Sequence, residues 1–292
     1  SGISSIKDLL RRVKNSVSLF AIIIFIAYLV LNTAIILWSV DWIIPKTLNG
    51  TTVLYVVLLM PVGLINLTGT SFAIYFVLIV AGIFLSYVVI FYQGGEKFFS
   101  YISEILSSKG KTSKNADSPI PRLAFVFFAL VFISYIYYIL LLSGGIQTRT
   151  PNFDSIPLWE LLYSLARASV WEEITVRVVY IGIIMLVYGK LRGNKNLLQY
   201  LYGGFGTKDR FIIIPILISA TVFASAHIGS WDLYKIPPSF LAGLAFGYLF
   251  VKDGLHSSIL LHFIWDYTSV PIRIFDFSNV DIAVSILILI WM

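Results

Sequence analysis

Apolar residues run in blocks along most of this chain, separated by short polar segments. Several blocks reach about 20 residues, the length a helix needs to cross the hydrocarbon core of a bilayer. The first 16 residues differ. Ile3, Ile6, Leu9, Leu10, Val13 and Val17 recur at helical spacing among Lys7, Arg11, Arg12 and Lys14, the pattern of a short interfacial helix. The run from Val17 to Val40 is too long for the core of a cleaved signal peptide and ends at Asp41-Trp42, an interfacial anchor, so it predicts the first span. From Thr51 to Tyr92 the apolar sequence is broken around Pro61 to Gly69. It reads as two spans, the first short, or as one span with a re-entrant turn, and two spans are preferred.

Gln93 to Pro121 is the most polar stretch: a surface helix carrying Phe98, Ile102, Ile105 and Leu106, then a Ser/Lys/Asn linker from Ser107 to Ser118. Further spans are predicted at Arg122 to Leu142, Leu158 to Tyr188, Phe211 to His227, Pro238 to Val251 and His256 to Val270, with a last one starting near Asp281. Gly243 and Gly247 form a GxxxG, which permits close approach of two helices and is also ordinary glycine usage in membrane helices. The expected fold is all-α, a polytopic transmembrane bundle of about 7 to 9 helices with short interfacial helices. Residues 1–120 form its N-terminal part and 121–292 its core, within one integrated membrane domain. No internal repeat is visible.

Composition agrees with that class. Hydrophobic residues make up 58% of the chain and charged ones 12%, with a mean hydropathy of +0.89, whereas soluble domains carry roughly a quarter charged residues. The net charge of +6 does not point to nucleic acid, because the Lys and Arg fall in a few inter-helix segments rather than along one stripe. Residues 1–16, 93–122 and 189–210 each hold at least four of them, so these segments are expected to face the cytosol. Three crossings before Tyr92 would put the first two on opposite faces. One of the first three predicted spans is therefore expected not to cross fully, unless the charge rule fails here. With no cysteine, disulfides, thiolate metal sites and a thiol nucleophile are excluded.

Glu172 and Glu173 sit in the middle of a long apolar stretch with Arg177 one turn later. A charge at bilayer depth costs roughly 2.5 to 3.5 kcal/mol even on the lenient insertion scale, so these groups need partners or a task. On a helix residues four apart share a face, so Glu173 and Arg177 are expected to pair and Glu172 to aim elsewhere. A carboxylate left unpaired in a poorly solvated site suits general acid-base work. Of three histidines, His227 follows Phe223 by one turn and His262 precedes Asp266 by one turn. His256 adjoins Lys252-Asp253-Gly254 and is read as interfacial. Taken singly, each pair could be an interhelical lock.

In order along the chain, Glu172-Glu173-Ile-Thr-Val-Arg177 is EExxxR, Phe223-Ala-Ser-Ala-His227 is FxxxH, and His262-Phe-Ile-Trp-Asp266 is HxxxN/D. From about Arg122 to Val270 the chain resembles the CAAX prenyl protease and bacteriocin-processing family of intramembrane proteases, which includes the Ras-converting CAAX endopeptidases. The resemblance implies proteolysis by a glutamate-activated water. Glu172 would be the base, with His227 holding and polarising the water. His262 and Asp266 would stabilise the oxyanion, and Glu173, Arg177 and Phe223 would support the site. Asp266 departs from the Asn usual in the Ras-converting type; an ionised carboxylate repels an oxyanion, so Asp266 must be protonated, orient His262 or bind a metal. Zinc held by Glu172, His227 and His262 is the alternative to a metal-free water, which is preferred because HExxH is absent. The implied partners are the lipid bilayer and a membrane-anchored substrate, prenylated in the eukaryotic type. The competing readings are a non-catalytic immunity or scaffold protein that keeps the polar cluster as a lock, and a proton-relay transporter.

Overall fold

A computed structural model describes residues 2–107 and 118–275. Helix α1 (Gly2–Leu48) is followed by a hairpin of β1 (Thr51–Val57) and β2 (Pro61–Thr68), then by α2 (Thr70–Ser107) and α3 (Pro119–Ser143). Beyond these come α4 (Leu158–Leu191), α5 (Ile213–Ser225), α6 (Ile236–Lys252), α7 (Leu255–Asp266) and the short α8 (Val270–Phe275). The segments containing α1 to α5 are long and apolar enough to cross a membrane. The chain is thus a helical membrane protein of several passes. The span expected near Asp281 and the linker expected at 108–117 lie outside the described residues.

Three expectations are corrected in the N-terminal part. The interfacial helix at 1–16 is continuous with the first span, forming one helix of 47 residues, about 70 Å at 1.5 Å per residue and far longer than the roughly 30 Å apolar core. The surface helix is likewise the end of α2, with Phe98 and Ile105 buried and Leu106 exposed. Residues 51–68, read as a short span, are an antiparallel hairpin instead, with Thr51 opposite Thr68 and a bulge between Leu54 and Tyr55. Hydropathy does not separate these outcomes, but residue type does. Val53, Tyr55, Val56 and Val57 favour a strand, while Pro61 and Gly63 would interrupt a helix. Gly69, at φ +55°, turns the chain into α2.

With the hairpin removed from the count, α1 and α2 are the only crossings before Tyr92 among the described residues. Two crossings bring the start of α1 and the end of α2 to the same face, and α3 and α4 bring residues 189–210 back to it. There Lys97 and Arg122 of the second basic segment and Gln199 of the third line one cavity together with Lys252 at the end of α6. The opposite end is closed by contacts between connections. Arg273 donates to the carbonyls of Phe153 and Ile156 (2.9 and 2.6 Å), and the Tyr234 hydroxyl donates to Arg149 O (2.9 Å).

The core is a main cluster running from α1 to α7 with a smaller second cluster of Ile181, Met185, Ile212, Phe250 and Val251. Gly243 and Gly247 of α6 face α5 and α4: a Cβ on Gly243 would stand 2.9 Å from Ala220 Cα, and one on Gly247 would meet Ile216 and Ile181 at 3.2 and 3.3 Å. The GxxxG therefore sets the approach of α6 to its neighbours.

Candidate active site

The middle of α4, Ala168–Glu172 and Ile174–Ile183, is wound as π-helix around a single α-type residue, Glu173. Such winding is rare and concentrates at functional sites. It gives the two adjacent glutamates different surroundings. Glu173 is fully buried and meets three partners through four hydrogen bonds. Arg177 grips it with two hydrogen bonds, Nε to Oε2 at 2.9 Å and Nη2 to Oε1 at 3.2 Å. Ser258 donates to Oε2, and His262 Nδ1 stands 2.9 Å from Oε1. Arg177 spends its remaining reach on Ser219 Oγ of α5, at 2.6 Å, and its guanidinium lies over the Phe223 ring, 4.9 Å from the centroid. A buried charge pair is tolerated only when further hydrogen bonds satisfy its leftover lone pairs and protons, and here α5 and α7 supply them.

Glu172 takes none of these partners. It lines a cavity of about 290 Å³ together with His227, His262 and Asp266. Four polar groups from three segments thus share one pocket, and the walls are Phe223, Phe246 and Trp265. His227 stands just past the end of α5, with its Nδ1 2.8 Å from Phe223 O. A carbonyl only accepts, so Nδ1 carries the proton and Nε2 keeps a lone pair. His262 is held on both sides. Its Nδ1 meets Glu173, its Nε2 stands 3.3 Å from Asp266 Oδ2, and its ring stacks on Phe246 at 4.7 Å. Each nitrogen that faces an ionised carboxylate donates to it, so this ring presents protons rather than lone pairs.

That arrangement does not fit a catalytic zinc, which takes three protein ligands through lone pairs. His262 has none to offer in this geometry. Among the described residues no three His, Asp or Glu side chains come together as a ligand set.

The structure also brings in residues that sequence reasoning passed over. Arg167 lines the same cavity five residues before Glu172 and donates from Nη2 to the Tyr55 hydroxyl of the hairpin (2.9 Å). Trp171 Nε1 donates to Tyr55 O, tying β1 to the π-wound stretch of α4. Burial, then the charge of Glu172, pushes the Tyr55 phenol up to about 12, so it stays a neutral donor. Lys235 closes one end of the cavity with its ammonium 3.8 Å from the Trp231 ring centroid, and burial pulls it below the usual lysine range against the opposing charge of Asp266. An Arg in the same apolar stretch as the glutamates was the available signal for Arg167. Lys235, in a short polar connection, carried none.

Residues 154–268 match the family model described as Rce1-like, type II CAAX prenyl endopeptidase. Over this stretch, about two fifths of the chain, the protein is similar to the Rce1-like family. All seven residues of the three motifs fall inside the match, and α1 to α3 fall before it. Comparison with curated proteins and with solved structures gives no match. The Rce1-like match supports a CAAX-type intramembrane endopeptidase in general.

Proposed function

We propose that this protein hydrolyses a peptide bond near the C-terminus of a membrane-anchored substrate, using water activated by Glu172 and His227. The observation that carries this reading is the shared cavity, in which Glu172 faces His227, His262 and Asp266 while Glu173 and Arg177 are locked behind it. In the proposed step a water lodged between Glu172 and His227 Nε2 gives up a proton to the carboxylate and attacks the scissile carbonyl carbon. The carbonyl oxygen becomes an oxyanion, and His262 Nε2–H is the donor nearest to hand for it. Such donors cost no reorganisation at the moment of reaction, and losing one typically lowers the rate about 100- to 1000-fold. Asp266 accepts from the same nitrogen in the resting site, which assigns it the part of orienting His262. Glu172 then returns its proton to the leaving amine. No metal takes part in this scheme.

The membrane orientation we propose bears on the substrate. If the basic face is cytosolic, the cavity lies toward the other face, since its lining includes Tyr138, Phe153, Trp231 and Lys235 from that end. This favours a substrate segment presented away from the cytosol. A prenylated cytosolic tail would meet the opposite end of the bundle.

The test is cleavage of lipidated and plain C-terminal peptide reporters by the purified protein and by its Glu172→Gln variant. Cleavage by the first and not the second supports the reading. A folded wild type that cleaves neither reporter, while a Glu172→Ala change lowers stability, would support the interhelical lock instead.

A further inference from the structure

A cavity larger than the one that holds Glu172 lies elsewhere among the described residues. About 690 Å³ in volume, it lies where the C-terminal half of α2 meets the start of α3, the turn at Gly203-Gly204 and the α6–α7 junction. Volumes of this order are typical of ligand sites. The nearest lining residues of the two cavities on α6 are Phe246 and Lys252, six residues or about 9 Å of helix apart, and on α7 His262 and Ile259, about one turn apart. No residue lines both.

Three cationic side chains, Lys97, Arg122 and Lys252, line it against one carboxylate, Asp253. Arg122 is bonded to that carboxylate. Gln93 and His256 add further polar edges, and His256 Nε2 is buried without a hydrogen-bond partner among the described residues. The remaining wall is apolar: Leu85, Val89 and Ile259. Leu85 is itself 58% exposed on the outer face of α2, one heptad after Leu78 at 62%. The pocket is therefore cationic at the level of the basic segments and continuous with a bare apolar helix face below it. A soluble anion would use only the upper half of such a site. A molecule with a phosphate head and acyl chains would use both.

We propose that this cavity is a binding site for an anionic phospholipid, its phosphate held by Lys97, Arg122 and Lys252 and its chains lying along Leu85 and Leu78 of α2. The ligand would brace α2, α3 and the α6–α7 junction against one another at the basic end. The site is independent of the protease reading.

The full chain is reconstituted in nanodiscs with equal amounts of phosphatidylglycerol and phosphatidylcholine, and retained lipid is read by native mass spectrometry. Wild type is expected to retain phosphatidylglycerol over phosphatidylcholine. Each lysine near a lipid headgroup contributes ~1 kcal/mol, or about fivefold, so the K97Q/K252Q double variant should lose most of that preference. The K190Q/K208Q control, which removes two cations from the same face outside the cavity, should keep it. Should the double variant not fold, as judged by its melting temperature, the single variants K97Q and K252Q carry the same comparison. Equal retention of the two lipids by wild type, or an equal loss in the control, would overturn the proposal. Binding of inorganic phosphate by delipidated protein without phosphatidylglycerol preference would assign the pocket to a soluble phosphate compound and overturn the lipid.

Discussion

His262 is bound by Glu173, not by Glu172, with 2.9 Å between Nδ1 and Oε1 across 89 positions of chain. Glu173 also holds Arg177 and Ser258, so the second glutamate of the pair joins α4 to α7 while the first is left facing the cavity. Under the proposed function, adjacent and chemically identical residues divide structure from chemistry, and their substitutions should separate cleanly.

Glu172→Gln should abolish turnover with little effect on stability. General acid-base groups contribute roughly 100- to 10,000-fold, and Glu172 has no hydrogen-bonded structural partner of the kind that Glu173 has. Reporter cleavage together with a thermal melt in detergent checks this; a large drop in melting temperature would contradict it.

Glu173→Ala should behave in the opposite way. It leaves the Arg177 guanidinium and one face of His262 buried without a counter-charge, and breaking a buried pair by removing one partner costs about 3 to 5 kcal/mol. Folded yield and denaturant midpoint are the readouts. A variant with wild-type stability would mean that Ser219 and the aromatic rings suffice to hold Arg177.

Asp266→Asn should retain most activity, because the amide oxygen can still accept from His262 Nε2. Asp266→Ala, which removes that acceptor, should fall by about a factor of ten or more, since orientation lost by even 1 Å is costly in rate. Equal loss in both variants would show that the carboxylate charge matters rather than the orientation of the ring.

Chelators should leave cleavage unchanged, and added zinc should not raise it, because the donor set offers His227 Nε2 and Glu172 but no lone pair on His262. Loss of activity on chelation that zinc restores would require His262 to turn away from one of its carboxylates.

Gly243→Leu should destabilise the bundle. Even a Cβ there would stand 2.9 Å from the Ala220 backbone, and overpacking of this kind costs typically about 1 to 3 kcal/mol. Gly95, whose Cβ would meet nothing within 4 Å, is the matched control: its substitution by Ala should be neutral or mildly stabilising in α2, since Ala forms helix better than Gly. The melting temperatures of the two variants distinguish local crowding from a general intolerance of glycine replacement.

The helices α3 to α7 were legible because apolar runs with polar ends admit few other readings in a membrane protein, but of these only α3 to α5 lie in segments long and apolar enough to cross; α6 and α7, expected as spans, are shorter. The pairing of Glu173 with Arg177 followed from spacing alone. Its bond to His262 did not, since nothing in a single chain states which of two neighbouring carboxylates a distant helix will meet. Arg167 escaped for a geometric reason: it stands five residues from Glu172, a separation that α-helical spacing disregards and that π-winding makes relevant. The hairpin escaped because apolar strand and apolar span have the same hydropathy, even though Pro61, Gly63 and the β-branched run were in view. The two corrections at 1–16 and 93–107 share a cause, for a helix has no need to stop at the membrane surface when its polar continuation is itself helical.

The hairpin at 51–68 reverses the chain without sending it through the bilayer, and this determines how everything downstream is inserted. Were that segment replaced by one more transmembrane helix, every later element would be mounted upside down, exchanging the compartments seen by the glutamate pocket and by the cationic one. A few strand residues and one proline thus decide which side of the membrane each chamber serves.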